Sequence, residues 1–267
     1  MSRRGWWLIA SAVVLVLTVE AGVAAVVWQH VRPRLPALAT VTPTLDRAVS
    51  AAVTDAGDSA AVAVSDLVPA TSCQNTPFAK GSIYTRSADL YTTPGGENPL
   101  VARIAAALPD SDHPQRGAAL SGGAAPLSAD LPGGIRLQVD QIGEGWVAAT
   151  AKTNCRAAGH PEANAGAPPA DTIASVTDLL TALGTTPASW HTDTVACAGG
   201  RIVTVDAISQ TTTTSNLPTR LAAQVPAGAR RFTSTSNRLA WRTPTASTIV
   251  AASDDGTHIT VQQTTTC

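Results

Sequence analysis

Apolar and polar positions along this chain follow three patterns in turn. From Trp6 to Trp28 nearly every residue is apolar, a run of 23. As a helix, that length crosses a hydrocarbon core of about 30 Å. Further on, Leu45, Val49, Ala52, Val53 and Ala56 recur at helical spacing, and Gly57 can end that helix in a left-handed cap. Asp171 can cap a second such helix, which carries Ile173, Val176, Leu180 and Leu183 and ends at Gly184. Elsewhere the period drops to two. Val62 and Val64, residues 189–196, Ile83–Ala88 and Ile202–Ala207 read as strands, helped by β-branched side chains. Ile135, Leu137 and Val139 alternate into the turn Gly143-Glu144-Gly145, and Val147, Ala149 and Ala151 alternate out of it. Ile249 and Ala251 lead to Asp254-Asp255-Gly256, and Ile259 and Val261 lead back; Asp-Gly is a strong hairpin signal.

These elements recur in one order. Leu100–Pro109 (LVARIAAALP) is echoed by Leu217–Pro226 (LPTRLAAQVP), with five of ten positions identical and two further aliphatic exchanges. Each echo reads as a short helix ended by its proline, because the residue before a proline avoids the helical region. The expected fold is α+β: an N-terminal transmembrane helix followed by two similar αββαββ domains, each an antiparallel sheet with its helices on one face. The expected boundaries are a cytoplasmic tail at 1–5, the membrane helix at 6–28, a stiff tether at 29–42, a first domain at 43–155, a linker at 156–170 and a second domain at 171–267. The first copy has extra length at 110–134, rich in Gly, Pro, Ala and Ser, which reads as a loop.

Four cysteines allow three pairings. The repeat selects Cys73–Cys155 and Cys197–Cys267, which put equivalent bridges in equivalent units. By chain entropy each bridge contributes roughly 4 kcal/mol. No CxxC pair occurs, which leaves metal or thiol chemistry as the weaker reading. Aromatic residues are only 4% of the chain, so the cores are built from small aliphatic side chains and gain much from cross-links.

Disulfides call for an oxidising compartment. Arg3 and Arg4 before the apolar run, and the distal cysteines, place the N-terminus inside and the bulk of the chain outside, as a single-pass signal anchor in the cell membrane. The rival is a signal peptide cleaved near Val19-Glu20-Ala21, against which the apolar run continues to Trp28. Glu20, the one ionisable side chain in the span, is a candidate intramembrane contact with a partner helix, although closeness to the outer face also accounts for it.

The remaining chemistry is sparse. Charged residues are 14% and the net charge is −1, which excludes the basic footprint of a nucleic-acid binder. His30, His113, His160, His191 and His258 never reach zinc-site spacing, and they read as surface or loop residues. Asp254 and Asp255 are the adjacent carboxylates that could serve acid–base chemistry, but they sit at a hairpin tip where Asp is expected for backbone reasons; Asp110 and Asp112 near His113 offer a weak cation site, with a solvated loop between Pro109 and Pro114 as the plainer reading. No GxSxG, SxxK or phosphate-loop motif occurs. Trp146, Trp190 and Trp241 are candidates for an exposed binding surface, with core filling as the plainer reading. No catalytic residue, cofactor or metal is expected. The expected function is a non-catalytic binding or scaffold protein with a protein partner in the cell envelope or a secretion assembly. The alternatives are an extracytoplasmic small-ligand sensor with its site between the domains, or an envelope hydrolase.

Overall fold

The computed structural model describes residues 36–76, 79–119, 123–157, 168–265 and 267. The expected membrane helix at 6–28, Glu20 within it, and most of the expected linker at 156–170 lie outside the described residues. Among the described residues no helix is long and apolar enough to cross a membrane.

Two antiparallel sheets and a few helices make up the fold. The first half runs α1 (Thr42–Ala56), β1 (Ala61–Val64), β2 (Val68–Thr76), β3 (Ala79–Tyr91), α2 (Glu97–Ala107), β4 (Gln115–Arg116), β5 (Leu127–Leu131), β6 (Ile135–Gly143), β7 (Trp146–Thr153) and β8 (Arg156–Ala157). The second half runs α3 (Ala170–Ala182), β9 (Pro187–Cys197), β10 (Gly200–Ser209), α4 (Leu217–Arg220), β11 (Arg230–Thr235), β12 (Arg238–Arg242), β13 (Ala246–Ala252) and β14 (Ile259–Thr265). The strand order is β2-β3-β7-β6-β5-β4 in the first sheet, with β1 and β8 also paired to β3, and β9-β10-β14-β13-β12-β11 in the second.

The orders correspond once β1 and β2 together are set against β9. With Ile83 aligned on Ile202, Val64 faces Ala88 as Trp190 faces Ala207, and Val68 faces Thr85 as Asp193 faces Thr204. Three residues, Ser65–Leu67, separate Val64 from Val68, where β9 has only His191 and Thr192. One extra residue disrupts a ladder locally and bends the strand. The edge strand of the first sheet is therefore broken where that of the second is continuous.

Helices lie on one face of each sheet. α1 buries Leu45, Ala48, Val49, Ala52 and Val53 against Leu90, Leu137, Val139 and Val147 of the first sheet. α3 buries Val176, Leu179 and Leu180 with Ala207, Leu239, Trp241, Val250 and Val261 of the second. Gly57 and Gly184, with φ of 51° and 66°, end these helices in the region only glycine adopts freely. The echoed arginines act on those same ends. Arg103 donates to the Ala56 carbonyl at 3.3 Å, and Arg220 donates to the Leu183 carbonyl. Ala56 and Leu183 each precede their glycine, so both guanidiniums satisfy a carbonyl that the ended helix leaves unpaired.

Cys73 is bonded to Cys155 and Cys197 to Cys267, with Cα separations of 5.8 and 6.7 Å. Each bridge ties an edge strand to the end of the hairpin two strands away.

Three expectations change. Residues 110–134 contain β4 and β5 rather than a plain loop; Leu127 and Ala129 alternate inward, and pairing to β6 holds them. The second echo forms one helical turn, Leu217–Arg220, whereas the first is helical from Leu100 to Ala107, within the eleven-residue α2. Pro218 in its first turn, and Asn216 at φ 57° before it, block extension toward the N-terminus. The C-terminal part of the expected tether is core: Leu38 and Val41 are buried with α1.

Candidate functional site

Side-chain direction in a strand alternates, so one face of the second sheet takes α3 and the other is left to the first sheet. On that second face, Ala240 and Ile249, with Phe232 of β11, pack against Ala61, Ala63 and Tyr91, and Trp146 lies beside them. Arg238 stacks over Trp146 and Tyr91 at 4.6 and 5.4 Å from the ring centroids, and Trp146 Nε1 donates to Asp89 at 3.0 Å. Burial pushes the Asp89 carboxyl and the Tyr91 phenol up.

A polar lock closes the other side of this seam. Arg86 of β3 is buried and reaches Asp46 of α1 at 3.0 Å and the Thr194 carbonyl of β9 at 2.6 Å. Asp46 in turn accepts from the Ala196 N–H at 3.2 Å. Burial raises the Asp46 pKa, and the Arg86 charge opposes that. The Val64 N–H donates to the Thr204 hydroxyl at 2.9 Å, which pairs with Thr264 at 2.8 Å.

Where the edge strand of the first sheet breaks, Asp66 meets β9. His191 and Asp193, two residues apart, share the face of β9 turned toward it. The His191 Nε2 lies 3.1 Å from Asp66 Oδ2 and 2.9 Å from Asp193 Oδ1. Among the described residues these three form the one group whose donor atoms converge within 4.8 Å in a pattern able to hold a metal ion. His191 is 60% exposed, whereas the Asp193 side chain is 7% exposed. Asp206 stands opposite His191 across the β9–β10 ladder, with only a long contact from Gln262, 3.5 Å away. Burial, reinforced by the Asp66 charge and opposed by His191, pushes Asp193 up to about 7. Burial raises Asp206 as well. The arrangement can hold a proton between carboxylates or gather a cation through two carboxylates and an imidazole.

The tryptophans divide. Trp241 is 3% exposed, inside the core under α3, and offers no surface. Trp146 is half-buried in the seam. Trp190, 40% exposed, is the one of the three that faces solvent broadly. Asp255 accepts from Ser253 and from the Thr257 N–H, which holds it at about 2 as an ordinary turn carboxylate. Two open depressions of about 370 and 410 Å³ lie on the first half, one at the β6–β7 turn beside Ile142 and one beside Arg136 and Lys152. Neither shares a lining residue with the seam group.

Reading the histidines one by one leaves the seam group ungathered, because 125 positions separate Asp66 from His191. A partial signal is present: His191-Thr192-Asp193 puts two ligand types on one strand face. The short turn after Cys197 then sets Asp206 opposite His191. Comparison with family models, curated proteins and solved structures finds no match for this chain.

Proposed function

We propose that this is a single-pass membrane protein whose bulk lies outside the cytoplasm, and that it scaffolds a protein partner in the cell envelope or a secretion assembly without catalysis. Its body is two similar α+β units from one duplicated ancestor. The apolar run 6–28 supports the anchor, and the two disulfides support an oxidising compartment. The observation that carries the scaffold reading is the seam itself. A buried ion pair, buried backbone contacts and shared apolar packing join the halves into one stiff body. A hinged ligand clamp needs an interface that opens; a presenting surface needs one that does not.

The test uses the full chain in cell membranes. Alkaline carbonate should leave it in the membrane pellet, and deletion of residues 6–28 should release it. A photocrosslinker in place of Trp190, or at exposed Ile142 or Ile208, should give a discrete adduct with one envelope protein. Release of the full chain by carbonate overturns the anchor. Absence of any adduct from all three positions overturns the scaffold.

A further inference from the structure

We propose that Asp66, His191 and Asp193 form a site for one divalent transition-metal ion of the zinc class, which clasps the two halves of the molecule together. The donors are already assembled. The two measured separations, 2.9 and 3.1 Å, need to open only slightly to reach the about 3.3 Å spacing of ligands around a tetrahedral ion with bonds near 2.0–2.1 Å. One imidazole nitrogen with two carboxylate oxygens suits zinc, and the imidazole disfavours calcium and magnesium, which take oxygen ligands. The exposed side of His191 leaves room for water to complete the coordination.

A second observation points to a ligand independently of the cluster. Asp193 is buried to more than nine-tenths, and its Oδ1 has no hydrogen-bond donor directed at it. The Nε2 atom of His191 is aligned on Asp66 instead. A single ring proton serves only one of the two carboxylates, so Asp193 is left beside the nitrogen without a bond. A buried carboxylate in that condition is costly unless it takes up a proton or a cation compensates it. The surrounding elements do not supply one. β10 adds a further carboxylate, Asp206; β14 adds the neutral Gln262; and the Arg86 guanidinium of β3 is engaged by Asp46 and the Thr194 carbonyl. Three carboxylates thus surround one imidazole. A divalent ion bonded to Asp66, His191 and Asp193 neutralises that excess and displaces the ring proton. It also bonds the first half, through Asp66, to the second.

The experiment is zinc titration of the full chain in detergent micelles, stripped with a chelator beforehand, with manganese, calcium and magnesium as parallel arms. One zinc per chain is expected. At a hundredfold excess over Kd, the thermal midpoint should rise by roughly 5–10 °C. Cobalt bound in place of zinc should give visible d–d absorption. Asp66→Asn and His191→Ala, both at partly exposed side chains, should weaken zinc at least about tenfold and abolish the cobalt spectrum. Their midpoints without metal should stay close to that of the parent. His113→Ala should bind as the parent does. No zinc binding, binding only of calcium or magnesium, or zinc binding unchanged in both Asp66→Asn and His191→Ala overturns the site.

Discussion

The two halves of this molecule solve the same construction problem with the same strand order, and they differ most at one edge. In the second half β9 runs unbroken from Pro187 to Cys197; in the first, the same place is divided into β1 and β2 by Ser65–Leu67. Matched positions carry the fold: the helix-ending glycines Gly57 and Gly184, the arginines Arg103 and Arg220 on the carbonyls before them, and the paired cysteines. Unmatched positions carry the seam. Arg86 stands where the second half has the core residue Val205, and Val68 stands where it has Asp193. The break sends Asp66 across to β9. The differences between the halves are therefore what bring ionisable groups together.

The strongest way to break that contrast is at Arg86. Arg86→Ala strands the Asp46 carboxylate and the Thr194 carbonyl, and should cost about 3–5 kcal/mol in urea unfolding of the full chain. Val205→Ala, at the matched position, removes two buried methyl groups and should cost roughly 2 kcal/mol. The double change Asp46→Leu with Arg86→Met should recover most of the loss, since it removes both charges. Equal costs for the two single changes would mean that the ion pair is not the lock.

The turn glycines sharpen the same point at smaller scale. Gly145 and Gly256 both have positive φ, 67° and 69°. A methyl group on Gly145 would lie 2.8 Å from the Thr92 carbonyl and 3.1 Å from the Thr233 hydroxyl, across the seam, whereas on Gly256 it meets only Thr214 at 3.6 Å. Gly145→Ala should cost about 2–4 kcal/mol, strain plus collision. Gly256→Ala should cost about 1 kcal/mol, the strain alone. Below these, Arg220→Ala and Arg103→Ala should each cost about 1–2 kcal/mol, because each guanidinium makes one part-buried bond to its cap carbonyl and one exposed bond beside it. A large difference between the two losses would mean that the two caps are not equivalent.

How much of this is legible in the chain depends on range. α1, α3 and both late hairpins follow from local period and glycine placement, and the disulfide pairs follow from the order of repeated elements. β4, β11 and β12 do not: β4 is two exposed residues, and β11 opens on Arg230-Arg231, so neither has an alternation to read. They exist because a neighbouring strand offers its edge. Asp66, His191 and Asp193 are illegible for a related reason. His191 and Asp193 share a strand face, but Asp66 joins them only through the one-residue excess between Val64 and Val68, which shows itself only when the two sheets are compared pair by pair.

That excess also gives the finest test, in pH. Asp193 is held at about 7 in the folded chain, mainly by burial and then by the Asp66 charge, against about 3.9 for an aspartate in an unfolded chain. The fold thus favours the protonated acid. Its contribution is complete below about pH 4 and is lost as pH rises through about 7. Asp46, Asp89 and Asp206 are raised too and act in the same direction. With a chelator present, the thermal midpoint should fall between pH 5 and pH 8. Asp193→Asn should flatten much of that fall, because an amide has no proton to lose. Val68→Asn, at the matched position on the broken edge, should leave the slope as it is, since Val68 is exposed and neither valine nor asparagine titrates. If Asp193→Asn keeps the full slope, the pH response belongs to the shared seam carboxylates, and the difference between the two edges is one of shape alone.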